Sequence, residues 1–366
     1  MTTAPAFEHD WRIAPGETVQ DIMMSRSLLR GDVSAQLDLD PDDFDDLLTG
    51  GMPIDAALAE RLAEVLGPKA RFWMRREELF RQSGGASDPA AIEEAKGAFL
   101  KLLPLRDMRA FGWLKEDEGL SKQEAALRFF EDDYGDWRRN GRDLVQAVAF
   151  RTSTTLEANT VAVAAWLRQG VVQSATVNCQ SWDSKKLSNA VEEIRPLTRI
   201  KSPVEFFPKL VEIGRKAGVA IVFVRTPSGC RASGATHFSP SGVPIIQLSF
   251  RHRSDDHFWF TVMHEIGHLV LHPSSPMFVE GADYVSGEEE AEADKFAQDS
   301  LLTPALQAEL DWLGRDFKKV MRFAKRAGVS PGVVVGQMQK RGLLRYDQLN
   351  FLKTRYDWSE LGAVNL

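Results

Sequence analysis

Cysteine is almost absent from the chain. Only Cys179 and Cys230 occur in 366 residues. They stand far apart and in no CxxC, which excludes a disulfide scaffold and a cysteine-rich zinc site. No uninterrupted apolar stretch approaches the roughly 18 residues that a membrane helix needs. No apolar run follows Met1 to Asp10 either, so neither a membrane span nor a signal peptide is expected, and these absences together point to a reducing cytoplasm. Histidine is scarce too, at seven residues, yet every one except His9 lies between His237 and His272. The remaining composition, 43% hydrophobic and 27% charged, is that of an ordinary globular protein with room for two or three domains.

The histidine-rich stretch centres on His264-Glu265-Ile266-Gly267-His268. An α-helix turns about 100° per residue, so histidines at i and i+4 project from one face and converge on a point where a zinc ion fits. Glu265, rotated by one residue, stands beside that point, where a general base can take a proton from the water that zinc activates. A helix from Asp255 to His272 is predicted. Trp259, Val262, Met263, Ile266, Leu269 and Val270 supply its apolar stripe and Pro273 its stop. Gly267 costs roughly 1 kcal/mol in a helix interior relative to Ala, so a close approach of another segment is expected there.

A catalytic zinc takes three protein ligands. The longer HExxHxxGxxH pattern is excluded, because Leu271 and Ser274 occupy the places of its Gly and last His. The acidic run Glu288 to Ala297 reads as a second helix reaching Leu302 and stopped near Pro304. Ala293, Phe296, Ala297, Ser300 and Leu301 form its inward stripe, Glu290 falls on that stripe, and Glu288 and Glu292 point away. Glu290 is therefore the expected third ligand and Glu289 the alternative. His272, one turn beyond His268, is a second-layer residue, an alternative ligand, or a polar helix end. Arg251, His252, His257 and Tyr284 are near enough in sequence to steady an oxyanion, and Arg251 could equally pair with an acid.

The segment from about Pro203 to Trp358 resembles the ImmA/IrrE family of metallo-endopeptidases. The likeness rests on Asp256 to Thr261 before the motif, Leu271-His272 after it, then Glu290, Glu292-Ala293-Asp294, Phe296-Ala297 and Pro304. It implies His264, His268 and Glu290 as zinc ligands, Glu265 as the catalytic glutamate, and helix-turn-helix repressors as the substrate class. Asp294 stands where the family pattern has Asn or Asp. Manganese remains open as the alternative ion.

The first 82 residues read as short helices opening at Glu17, Leu28, Asp42, Asp55 and Phe72, with breaks at Gly50-Gly51 and Gly67-Pro68. This order is similar to antitoxin-type helix-turn-helix domains of the HigA and XRE kind, and Ala14-Pro15-Gly16-Glu17 matches their HPGE opening. Val33, Leu37, Leu39, Phe44, Leu47 and Leu48 fill the core positions. The DNA-facing helix, however, carries Asp42, Asp43, Asp45 and Asp46. Residues 1–82 hold 9 Lys and Arg against 16 Asp and Glu, a net of −7 that equals the formal charge of the whole chain. Phosphate is repelled by such a face, so protein contact or a vestigial scaffold is favoured over DNA reading.

Ser83 to Pro89 reads as a linker. Helices are predicted over 90–102, 121–130, 155–169 and 184–194, with Trp113, Trp137, Trp166 and Trp182 as core or interface anchors. Val219 to Val224 reads as a buried strand and Ile245 to Phe250 as a half-exposed one, with glycine-marked turns between them. A strand leading into the zinc helix suits the addition of an extended peptide to a sheet edge. Beyond Pro304 come helices over 317–327 and 331–341. The eight basic residues Lys318, Lys319, Arg322, Lys325, Arg326, Lys340, Arg341 and Arg345 form a solvated face there or a contact for nucleic acid or the acidic first domain.

The expected fold class is α+β and predominantly helical. Its parts are a helix-turn-helix-like bundle (1–82), a linker (83–89), a helical middle region (90–200), a zincin-like, gluzincin-type catalytic domain with a small sheet (201–310), and a basic helical tail (311–366). The expected function is zinc-dependent cleavage of a protein substrate, with Zn2+ as cofactor and no membrane partner. The alternative is a DNA-binding antitoxin or regulator whose zincin domain is structural or sensory. Oligomeric state is not readable.

Overall fold

Apolar residues at helical spacing, punctuated by Asp caps and Gly or Pro breaks, give five short helices at the start of the chain. The computed structural model describes residues 14–26, 28, 30–82, 97, 99–114, 120–131, 158–239, 241–272, 277–279 and 287–361. It forms two compact units, Met1–Lys101 and Leu102–Leu366. In the first, α1 (Pro15–Ser25), α2 (Arg30–Gln36), α3 (Pro41–Thr49), α4 (Ala56–Leu66) and α5 (Ala70–Gln82) follow one another. Asp40 starts α3 by accepting a hydrogen bond from the backbone N–H of Asp43, and Asp55 starts α4 by accepting from that of Leu58. Val33, Leu37, Phe44, Leu47 and Leu48 are buried together, with Leu39 packed on them. Asp42, Asp43 and Asp46 lie exposed on the outer side of α3. The predicted linker and most of the predicted helix over 90–102 fall outside the described residues.

The second unit is predominantly helical around one small sheet. Its helices are α6 (Leu105–Ala110), α7 (Lys122–Glu131), α8 (Ala158–Ser174), α9 (Ser184–Ile194), α10 (Pro203–Ala217), α11 (Asp255–Leu271), α12 (Gly287–Leu301), α13 (Pro304–Gln307), α14 (Phe317–Ala327) and α15 (Pro331–Lys340). The strands are β1 (Ala220–Phe223), β2 (Gly234–Phe238), β3 (Pro244–Leu248) and β4 (Met277–Val279), in the order β1-β3-β2-β4. β1 runs parallel to β3, and the other two pairings are antiparallel.

One face of this sheet contributes Ile221, Phe223, Ile246 and Leu248 to the core shared with Val262 and Ile266 of α11. The opposite face is closed by α8. Trp166 donates its indole N–H to the carbonyl of Val224 at 3.0 Å, and Gln247 donates its amide to the carbonyl of Trp166 at 2.7 Å. Nε2 of His237 lies 3.0 Å from Oε1 of Gln247, and burial pushes that imidazole down to about 4. The alternation from Ile245 to Phe250 suggests a half-exposed strand, and the structure corrects this. All six residues are buried, because the polar Gln247 points into α8 and not into solvent. The glycine-marked stretch between the two predicted strands contains β2 as well as turns. Trp166 is a core anchor and Trp182 packs at the core margin, while Trp137 is outside the described residues.

The start of α11 is held from the C-terminal side. The N–H of Asp255 donates to the carbonyl of Thr354 at 3.0 Å, and the N–H of Tyr356 donates to that of Arg253 at 3.1 Å. Lys353 reaches the buried carboxylate of Asp256 at 2.6 Å, and the indole N–H of Trp259 donates to the Tyr356 hydroxyl at 3.2 Å. Among the described residues no helix is long and apolar enough to cross a membrane.

Candidate metal centre

The HExxH segment lies on α11, in helix as its spacing predicts, with Trp259, Val262, Met263, Ile266 and Leu269 buried along it. His264 and His268 are both buried and bring their Nε2 atoms to 3.0 Å from each other. α12 packs against this helix through Ala293, Ala297, Ser300 and Leu301. That packing directs Glu290 back at the imidazoles, with Oε2 3.2 Å from Nε2 of His264 and Oε1 3.4 Å from Nε2 of His268. Gly267 permits the approach. A Cβ on it would stand 3.1 Å from the Phe296 ring and 3.3 Å from Cα of Ala293.

The spacing suits a metal ion. Four tetrahedral bonds of about 2.0–2.1 Å place neighbouring ligand atoms about 3.3 Å apart, close to the 3.0 Å between the two imidazole nitrogens and to the 3.2 and 3.4 Å at which each meets one oxygen of Glu290. Among the described residues this is the one group of three or more His, Cys, Asp and Glu side chains whose donor atoms lie close enough together, all within 4.8 Å, to hold an ion. Burial disfavours the charged form of His268 and lowers its pKa, leaving a neutral imidazole with a lone pair to offer. Burial alone would raise the Glu290 carboxyl, but its hydrogen bonds to His264 and His268, and the charges of these imidazoles when protonated, outweigh this and hold it down at about 2.

Two further contacts orient these groups. Nδ1 of His264 lies 3.1 Å from Oδ1 of Asp294, one turn along α12 from Glu290. A proton held on Nδ1 by that carboxylate puts the ring's lone pair on Nε2, the nitrogen that faces His268 and Glu290. Glu265 is fully buried and faces β2, where the Thr236 hydroxyl donates to its Oε2 at 2.7 Å. Gly234, on the same strand, makes room for it, since a Cβ there would stand 2.5 Å from Oε1 of Glu265. The sequence alone sets Asp294 on the family pattern without a contact and gives no sign of Thr236. The i to i+4 relation of Glu290 and Asp294 was a usable sign for the first, and nothing local marked the second.

The other sequence candidates lie elsewhere. His272 is outside the three-residue cluster, and its Nε2 lies 3.4 Å from Oε2 of Glu292. Glu289 also lies outside the cluster. Arg251 is exposed and donates to the backbone carbonyl of Arg231. His252 and His257 stack on each other with ring centroids 4.4 Å apart. His257 sits about 10 Å along the helix axis from His264, at 1.5 Å per residue. Tyr284 is outside the described residues.

Residues 217–337 match the Peptidase_M78 family, described as the IrrE N-terminal-like domain. The matched stretch contains all four strands, α11, α12 and the whole metal cluster. It supports a metallopeptidase of the ImmA/IrrE type. No curated protein matches the chain.

Proposed function

We propose that the chain is a zinc-dependent endopeptidase that cleaves a helix-turn-helix transcriptional repressor in the cytoplasm and so releases the genes it silences. The observation that carries the reading is the convergence of His264, His268 and Glu290, a two-imidazole, one-carboxylate donor set, directly beside Glu265 in sequence. Such a set leaves one tetrahedral position for water or substrate. Zinc held there supplies a Lewis acid that polarises a scissile carbonyl and acidifies water.

The protein's own groups do the rest. Asp294 fixes the tautomer of His264. Glu265 takes the proton of the attacking water and delivers it to the leaving amine, and the Thr236 hydroxyl sets the rotamer of its carboxylate. The repressor is the substrate class implied by the ImmA/IrrE resemblance. In the helix-turn-helix-like first unit, the exposed Asp42, Asp43 and Asp46 weigh against a phosphate-binding α3 and favour protein contact.

The test is Glu265→Gln, assayed on the repressors encoded beside the gene. The variant should bind metal like the wild type and leave the repressor intact. Cleavage at the wild-type rate would overturn the mechanism.

A further inference from the structure

α14 carries five basic residues and no acidic one in its eleven positions, and residues 315–345 together hold nine Lys and Arg against the single acid Asp316. The inner face of the helix is spent on packing, with Val320, Phe323, Ala324 and Ala327 buried. Its outer face presents Lys318, Lys319, Arg322 and Lys325, all exposed, and none of these four side chains has an acidic partner among the described residues. Arg326 differs in being paired with Glu309. A solvated helix of ordinary composition would intersperse acids at i+3 or i+4 to such cations. Here they are left out.

Aromatic rings at the start of α14 and in the segment that follows α15 are left uncovered. Phe351 is 71% exposed and Tyr346 72%, while Phe317, at the first turn of α14, is 41% exposed and meets Phe351 edge-on at 6.0 Å. Rings of this size normally bury their surface, so an exposed pair beside unpaired cations marks a surface with an occupant. Phosphates meet the cations and bases stack on the rings when the occupant is a single strand. A duplex offers the same phosphates but keeps its base faces stacked on one another, so the exposed rings of Phe317 and Phe351 favour a single strand.

We infer that the α14 face, with Phe317 and Phe351, binds single-stranded nucleic acid. At the far end of α15, Nζ of Lys340 lies 3.9 Å from Oδ2 of Asp294. The inference does not depend on peptide cleavage. It is read by binding alone, and its failure would leave the peptidase reading untouched.

Fluorescence anisotropy of the full-length, metal-loaded protein decides it, using a labelled oligothymidine of about 20 nucleotides and a duplex of equal length. The single strand should bind more tightly than the duplex. The neutral variant Lys318→Gln/Arg322→Gln/Lys325→Gln should weaken binding and lower the slope of log K against log salt by about 2. Phe317→Ala/Phe351→Ala should weaken single-strand binding about tenfold and leave duplex binding unchanged. Metal content and circular dichroism should match the wild type in both variants. No single-strand binding by the wild type would overturn the inference. So would equal affinity for the duplex with no effect of removing the rings, or binding only to anionic phosphatidylserine vesicles.

Discussion

Nδ1 of His264 and Oδ1 of Asp294 lie 3.1 Å apart, joining two helices across thirty residues of sequence. Asp294 is thereby set behind an imidazole whose Nε2 meets Glu290, on the far side of the ring from the cluster. Asp294→Ala should lower metal affinity about 10- to 100-fold, the usual cost of removing such a partner, while Asp294→Asn, which keeps a carbonyl acceptor, should lose less. Competition with a chromophoric chelator measures both.

The Thr236 hydroxyl donates to the Glu265 carboxylate at 2.7 Å. Thr236→Val removes that donor from a buried acceptor and should destabilise the fold by about 1–3 kcal/mol in urea unfolding, with Thr236→Ser recovering most of the loss. Gly234→Ala on the same strand places a Cβ against Oε1 of Glu265 and should cost about 1–3 kcal/mol through overpacking. Neither substitution should reduce metal content, since neither residue belongs to the donor set.

Lys353 and Asp256 form a buried pair at 2.6 Å where the C-terminal segment crosses the start of α11. Lys353→Met leaves the carboxylate buried without its cation and should cost about 3–5 kcal/mol. The double variant Lys353→Met/Asp256→Asn should lose less than the sum of the two single changes, which a double-mutant cycle in urea would show.

Two carboxyls give the metal-free protein opposite pH responses. Glu290 has a folded pKa of about 2, below its ordinary 4.5, so its contribution is present above about 4.5 and is lost as pH falls toward 2. Asp255 is raised from 3.8 to about 6, chiefly by burial, so the folded state holds the extra proton and stability declines as pH rises from about 3.8 to 6. Melting temperature against pH should therefore show a low-pH fall that Glu290→Gln reduces. It should also show a decline between about pH 4 and 6 that Asp255→Asn flattens.

The convergence of His264, His268 and Glu290 is largely legible in the chain because two helices carry these residues. The i, i+4 histidines, the inward stripe of Ala293, Phe296 and Ala297, and Glu290 on that stripe are periodic features, and period survives in a sequence read alone. β2 was not legible. Gly234-Ala-Thr-His-Phe238 lacks the apolar alternation of a strand, because His237 and Thr236 are buried polar residues whose partners, Gln247 and Glu265, come from other elements. The burial of β3 was misread for the same reason. Gln247 looks solvent-facing until α8 supplies the carbonyl of Trp166. The hold of Thr354 and Tyr356 on α11 spans about a hundred residues and leaves no local sign.

The measurement that tests the central claim most directly is metal content per chain, by elemental analysis of purified protein after dialysis without chelator, with Glu290→Ala beside the wild type. About one zinc per wild-type chain and far less in the variant is the predicted result, since the third ligand closes the site. A wild type that holds no zinc even when zinc is offered, or a variant that holds as much as the wild type, would contradict a metal centre built from His264, His268 and Glu290.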